Sequence, residues 1–207
     1  MSPELFDRTD PYRSKRLLDI AIAAPALVVA SPVMFVIAIC VRLTSCGPAI
    51  YRATRTGRHD APFTLYKFRS MRITHSSEAS LVTAAGDVRV TRVGRVLRAT
   101  KLDELPQLLN VVLGQMSIVG PRPEDPTYVS RYTPEQRGIL SWRPGITSPA
   151  SIAYRHEETL LESAADLETA YATISGAKLR LDLAYFPTSS LRSDVAIILK
   201  TVQSIFT

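Results

Sequence analysis

The longest run of apolar positions in this chain lies near its start: from Ile20 to Val41 there are 22 residues without a charge. About 20 apolar residues match the hydrocarbon thickness of a bilayer, so the run is long enough to cross one. Ser31-Pro32 sits at its middle, and basic residues crowd both ends, Arg8, Arg13, Lys15 and Arg16 before it and Arg42, Arg52, Arg55 and Arg58 after it. Basic residues beside membrane segments stay on the cytoplasmic side, so both ends ask for the same compartment. A segment that enters and leaves by one face must turn inside the membrane. Pro32 can supply that turn, because it removes a backbone donor and clashes with the preceding helical turn, and Ser31 can re-satisfy the freed backbone group. The pattern predicts a helix, break, helix hairpin over residues 15–47, a flexible arm over 1–14 and a cytosolic domain over 48–207. A signal peptide has a shorter core without an internal proline. A single kinked span conflicts with the charge symmetry, and a buried helix of a soluble core shows a polar face.

After the apolar run the rhythm changes. Residues 49–53 and 63–68 read as short strands around Thr56-Gly57-Arg58-His59-Asp60, which has turn composition. Residues 74–87 are small, polar and unpatterned, as in a loop. Helices are predicted over 92–100 and 103–113, the second with apolar residues at 105, 108, 109, 112 and 113 and with Gly114 suited to its C-cap. A proline-punctuated loop over 120–126, a short helix over 134–140 and a turn at Arg143-Pro144-Gly145 follow. Residues 157–182 are helical by composition. Positions 195, 198, 199, 202, 205 and 206 form one apolar helix face with Lys200 opposite, a face that packs on a core or lies on lipid. The fold class expected is α+β, mostly helical: a re-entrant membrane helix and a small cytosolic domain with a short strand element and interfacial amphipathic helices.

Composition narrows the partners. The 207 residues are 46% hydrophobic, and 25 basic against 19 acidic residues leave a net charge of +6, suited to anionic headgroups, nucleic acid or phosphorylated substrates. The cysteines, Cys40 and Cys46, offer no disulfide framework, in keeping with a reducing compartment. His59, His75 and His156 are scattered among polar neighbours with no zinc-like spacing. No internal repeat or low-complexity tract interrupts the chain.

Chemistry concentrates between Arg89 and Arg122. Arg89, Arg92, Arg95, Arg98 and Lys101 recur every third residue, and the first three read as a solvated or headgroup-facing surface. Arg98 and Lys101 lead into adjacent carboxylates, Asp103 and Glu104, at the start of a helix, where helix-end potential and neighbouring cations keep a carboxylate ionised. An ionised carboxylate can attack phosphorus. Taken alone, the pair also fits ordinary decoration of a helix N-terminus. Gly120-Pro121-Arg122-Pro123 shifts the balance, because two prolines limit the freedom of a guanidinium whose fork suits a phosphate oxygen pair.

From Lys15 to Thr201 the chain resembles the small monotopic phosphoglycosyl transferases, a family of bacterial sugar transferases. The matching stretches are Lys15-Arg16-Leu17-Leu18-Asp19, Ser31-Pro32, Tyr66-Lys67-Phe68-Arg69-Ser70-Met71, Leu102-Asp103-Glu104-Leu105-Pro106-Gln107-Leu108-Leu109-Asn110-Val111, Met116-Ser117-Ile118-Val119-Gly120-Pro121-Arg122-Pro123 and Arg143-Pro144-Gly145-Ile146-Thr147. The resemblance implies a re-entrant membrane helix, a UDP-sugar donor and a polyprenyl (undecaprenyl) phosphate acceptor. It also implies a catalytic pair in which Asp103 attacks the sugar-linked phosphate, releases UMP and passes the phosphosugar to the lipid phosphate. Mg²⁺ is assigned to Asp103 and Glu104, and a hard cation held by carboxylates and substrate phosphates is its usual arrangement. Arg98 and Arg122 fall at phosphate-binding positions, Lys67 is a third candidate cation, and Arg143 is either a nucleotide contact or a charged turn residue. The implied location is the cytoplasmic face of the bacterial inner membrane, among membrane lipids, at the first membrane step of glycoconjugate assembly. A homodimer is compatible with it.

The resemblance breaks at Ser148-Pro149-Ala150-Ser151-Ile152-Ala153-Tyr154-Arg155, where many relatives carry glycines and a tryptophan-glutamine pair. Arg155 with Glu157 and Glu158 either replaces those contacts or forms a charge cluster at a helix start, and the sugar is not readable. The short N-terminus, without the multi-span region of larger relatives, is expected of a minimal catalytic unit. Two other readings fit the residues less well. A nucleic-acid module lacks the aromatic platform expected of single-strand binders, so no nucleic acid is expected. A non-enzymatic basic scaffold at the membrane surface would have no use for Asp103 beside Arg122.

Overall fold

The computed structural model describes residues 11–72, 86–162 and 166–205. Most of the expected N-terminal arm and of the 74–87 loop, His75 included, lies outside the described residues.

The apolar run forms most of α1, Pro11–Thr44, a helix of 34 residues with Pro25 and Pro32 inside it. The expected interruption at Ser31-Pro32 is replaced by one continuous helix. Proline at 32 leaves the Val28 carbonyl without its usual amide donor four residues on, and the Ser31 hydroxyl donates to that carbonyl at 2.7 Å. Both flanks of α1 pack on the same body. Ala23, with Ile22, Ala26 and Leu27 around it, joins a core containing Val111, Met116, Ile118 and Val119. Ile37 and Val41 join Phe68 and Leu97, and Leu105 packs against both cores. Between the flanks Val28, Val29, Val33, Phe35 and Val36 are exposed, at 50% to 78% of their surface. A contiguous apolar patch left open in this way marks a surface for lipid or another protein.

Polar pins fix the flanks. Lys15 pairs with Asp194, Arg16 donates to the carbonyls of Val111 and Val112, which end a helix, and Asp19 accepts from the Ser117 hydroxyl at 2.9 Å and the Ile118 amide at 2.8 Å. At the other flank the Arg69 guanidinium donates to the Ser45 carbonyl at 2.7 Å. Cations suit a helix C-terminus because its last carbonyls lack intrahelical donors.

Strands β1, Ile50–Thr56, and β2, Pro62–Phe68, pair antiparallel from Ile50↔Phe68 to Thr56↔Pro62, and are longer than expected. Their loop holds His59 and Asp60 at positive φ. Helix α2, Arg92–Ala99, is capped by Thr91, whose hydroxyl accepts from the Gly94 amide. The expected helix over 103–113 is split into a 3-10 turn, Leu102–Glu104, and α3, Gln107–Val112. Pro106, with no amide to donate, fits the junction before α3. Strand β3, Ser117–Val119, pairs parallel with β4, Gly145–Thr147, a pairing with no local signal because each strand is three residues long. Short helices α4, Pro126–Val129, α5, Pro134–Arg137, and α6, Pro149–Ala153, follow, with a 3-10 turn, Gly138–Ser141, after α5. The single helical stretch expected over 157–182 is two helices, α7, Glu157–Glu162, and α8, Leu167–Tyr185. The last helix, α9, Leu191–Ile205, buries Asp194 and Ile197 and exposes Leu191, Val195, Leu199 and Val202.

Candidate active site

Lys101 adopts a left-handed conformation, φ 57, and turns the chain from α2 into the 3-10 turn that carries Asp103 and Glu104. Asp103 is 6% exposed, and its Oδ1 is buried with no hydrogen-bond partner. Burial and then the neighbouring Glu104 raise its carboxyl to about 6, against the pull of Lys67, Lys101 and Arg98. Lys67 reaches the same place from β2. Burial lowers its ammonium below the usual lysine range, Asp103 opposes that shift, and Arg122 and Arg98 reinforce it. These side chains therefore sense one another as one electrostatic cluster.

Arg122 approaches Glu104 with Nη1 3.9 Å from Oε1. That is a loose contact, and the guanidinium keeps 52% of its side-chain surface open. Burial of its base opposes its charge, but Glu104, Glu157 and Glu124 outweigh that and raise it. Arg98 stands in the last turn of α2 with Nη1 3.7 Å from the Met71 sulfur.

An open cavity of about 1250 Å³ runs along the β1–β2 hairpin and is walled by Lys67, Arg98, Glu104 and Arg122. Asp103 lies behind this wall rather than on it. Toward the Ile50↔Phe68 end of the hairpin the lining is basic, with Arg42, Arg69 and Arg72. Toward the other end it carries Glu124, Tyr128, Glu157 and Tyr171.

Of the residues expected in the site, Asp103, Glu104, Lys67, Arg98 and Arg122 are brought together. Arg143 is not: it lines a small separate cleft with Lys15, Asp19 and Ser117. Ser31 and Pro32 lie in the exposed middle of α1. Of four residues behind Arg122, Glu157 was read only within a charged cluster beside Arg155, and Glu124, Tyr171 and Lys178 carried no signal in the sequence. Lys178 binds Glu157 Oε2 at 2.7 Å, and Tyr171 donates to Glu124 Oε2 at 2.8 Å. Lys178 and Tyr171 occupy α8, where any such residue reads as helix surface until α8 is packed. Arg155 is absent from the cavity wall, whereas Glu157 is part of it.

Among the described residues no group of three metal-ligating side chains exists. The adjacent carboxylates of Asp103 and Glu104, one oxygen of them unpartnered, fit a hard cation that draws its other ligands from phosphates and water.

Residues 11–207 match the family described as bacterial sugar transferase. The chain is 39% identical over 196 residues to the UDP-glucose:undecaprenyl-phosphate glucose-1-phosphate transferase of Caulobacter vibrioides, covering 93% of this chain and 70% of that protein. It is 37% identical to the UDP-N-acetylgalactosamine-undecaprenyl-phosphate N-acetylgalactosaminephosphotransferase of Aeromonas hydrophila, covering 93% of this chain but 44% of that protein. It is 35% identical to the exopolysaccharide production protein PSS of Rhizobium leguminosarum, covering 92% and 94%. The chain thus spans less than half the length of some relatives and nearly all of others.

Proposed function

The chain belongs to the bacterial sugar transferase family, and on that premise we propose that it moves a sugar-1-phosphate from a UDP-sugar to undecaprenyl phosphate. The observation that carries the reading is the buried, unpartnered Asp103 oxygen beside Lys67 and Arg98, next in the chain to the carboxylate that Arg122 approaches. An unsatisfied buried acceptor is costly in a resting fold, which fits a group that meets its partner only when substrate is bound.

In the proposed reaction an Asp103 oxygen attacks the phosphorus bonded to the sugar. The bond from that phosphorus to the bridging oxygen breaks, and UMP leaves with the electron pair. An oxygen of undecaprenyl phosphate then attacks the same phosphorus, the bond to Asp103 breaks, and the carboxylate is restored with undecaprenyl-diphospho-sugar as product. Burial keeps Asp103 poorly solvated and therefore more nucleophilic once ionised. Lys67, Arg98 and Arg122 offset the charge that accumulates on the phosphate oxygens. Asp103 and Glu104 would hold Mg²⁺, which when bound lowers the repulsion between an anionic nucleophile and an anionic diphosphate.

The acceptor's phosphate lies at the headgroup plane, so the site must sit at that height. The exposed apolar middle of α1, with both flanks on one body, suits a helix that rests its middle in one leaflet at the cytoplasmic face of the inner membrane without crossing it. The open apolar stripe of α9 suits a second contact with lipid.

Donor carrying a labelled sugar phosphate tests the chemistry. The wild type, mixed with donor alone, is expected to release UMP and retain label on the protein, and Asp103→Asn to lose both by more than about 10³-fold. Label persisting on Asp103→Asn would place the nucleophile elsewhere.

A further inference from the structure

The cavity is chemically polarised, and its two ends ask for different parts of a substrate. Six residue steps separate Ile50 from Thr56 along β1, so the hairpin wall is roughly 20 Å long at about 3.4 Å per step. At one end the lining cations Arg42, Arg69 and Arg72 stand near Lys67 and Arg98. At the other, Glu124 and Glu157 stand with Tyr128 and Tyr171. Arg122 lies between, close to Glu104 and within electrostatic reach of Glu157 and Glu124.

Glu157 is the unusual member. Its Oε2 is held by the Lys178 ammonium at 2.7 Å, which fixes the carboxylate's direction, while Oε1 is buried with no hydrogen-bond partner. Leaving that acceptor unmade costs its full desolvation, so it fits a donor that arrives from the cavity. A pyranose is a ring of hydroxyl donors. Carboxylates are the acceptors that hold hydroxyls most strongly, and tyrosine rings cover apolar ring faces. The tilted pair Tyr128 and Tyr171, with centroids 4.8 Å apart, borders the same end. The remaining phosphate of the nucleotide and the phosphate of the acceptor need cations instead, which the opposite end supplies.

We propose that Glu157, oriented by Lys178, accepts a hydroxyl of the donor's sugar and makes this end of the cavity its saccharide-selecting wall. The inference rests on the phosphosugar-transfer reading above. A sugar linked to a phosphate that Arg122 grips is one bond from that phosphate, and Glu157 is, after Glu104, the carboxylate that acts most strongly on Arg122, with its end of the cavity holding one other cation, Arg55, already paired with Asp125. The nucleoside lies one phosphate further on, toward the basic end.

The test compares the full-length wild type with Glu157→Gln, and with Glu157→Gln combined with Lys178→Met so that no buried ammonium is left unpaired. UMP release is measured with UDP-glucose, UDP-galactose and their N-acetylated forms, with affinities for each and for UDP alone measured by titration calorimetry. Both variants are expected to change the ratios of kcat/KM among the sugars by about tenfold or more, because a lost acceptor discriminates between hydroxyl orientations. Affinity for UDP is expected to stay at the wild-type value. An equal loss for all sugars, or a loss that UDP alone reproduces, would overturn the proposal, the latter by placing Glu157 at the nucleoside. Should the wild type release no UMP, the transfer reading fails on its own, and the calorimetric ratios among intact donors still decide whether Glu157 reads the sugar.

Discussion

The two ends of the cavity are built by different means. The end proposed to face phosphate is short-range: Lys101, Asp103 and Glu104 sit on one turn, Arg98 is one helical turn before it, and Lys67 comes from the adjoining strand. The opposite end is assembled from far apart in the chain, with Glu124 from the loop after β3, Glu157 from α7 and Tyr171 and Lys178 from α8. Reaction chemistry tolerates little displacement, so a compact segment suits it. A wall that selects among substrates can be replaced piece by piece. The comparison predicts that substitutions at the first end change how fast all donors react, and those at the second change which donor is preferred.

The largest effect expected strikes the joint that serves both ends. Gly120 and Gly145 pass so closely that a Cβ on Gly145 would lie 2.0 Å from the Gly120 amide nitrogen, and one on Gly120 2.3 Å from the Arg143 carbonyl oxygen. Both partners are backbone and cannot swing aside. Gly145→Ala is expected to cost at least about 3 kcal/mol of stability and to lose activity toward every donor, read as a lower melting midpoint in detergent. A variant that keeps its melting point but loses one donor only would break the comparison.

The second is a pH effect behind the selective wall. Asp182 is 4% exposed and accepts from the Ala150 amide at 3.1 Å, which anchors α6 on α8. Burial raises its carboxyl from 3.8 to about 6, against the Ala150 amide, the Ser148 hydroxyl and Lys178, which lower it. The fold then holds the proton more tightly than the unfolded chain does, so this group's contribution to stability declines as pH rises from about 4 to about 6 and is level beyond. The whole interval corresponds to about 3 kcal/mol. Asp182→Asn keeps an oxygen for Ala150 and removes the titration, so stability measured by denaturant between those pH values should fall less steeply than in the wild type.

How much of this was legible follows the same division. Asp103, Glu104, Lys67, Arg98 and Arg122 were legible as candidates from local motifs and the family resemblance together, and the fold brings them into one cluster. The apolar run and its symmetric flanking charges pointed to α1, but not to its continuity through Pro32, where the Ser31 hydroxyl bonds the carbonyl that the proline leaves without its amide. Lys15 and Arg16 read as flanking charge and Asp19 only as part of a family motif, and in the fold they pin α1 to α9, α3 and β3. Strands β3 and β4 were missed because three residues carry no period. Arg143, read as either a nucleotide contact or a charged turn residue, lines another cleft. Glu157 was legible only as one of two readings of a charged cluster, and Lys178 and Tyr171 not at all, because their arrangement exists only after α7 and α8 pack behind Arg122.

Arg122 sharpens the comparison because it touches both ends. Arg122→Lys keeps the charge and loses the fork that can grip two phosphate oxygens. A fall in kcat/KM of about 10- to 100-fold is expected, shared equally by all donors. Steady-state UMP release across several UDP-sugars reads it, and a fall confined to one sugar would move Arg122 into the selective wall.

The smallest effect is the most discriminating. Tyr171→Phe removes the phenol that donates to Glu124 Oε2 but leaves the ring beside Tyr128. Glu124 retains the Asp125 amide on its other oxygen at 3.0 Å, so only one hydrogen bond to a charged group is lost. That is worth about 1 to 3 kcal/mol when the partner stays buried and less where cavity water replaces it. The expected outcome is a several-fold rise in KM that differs between donors, with kcat unchanged, because the phenol orients the wall and takes no part in moving phosphorus. A collapse of kcat with KM intact would mean that Tyr171 acts on the reacting phosphate, and the separation of the two ends would then be wrong.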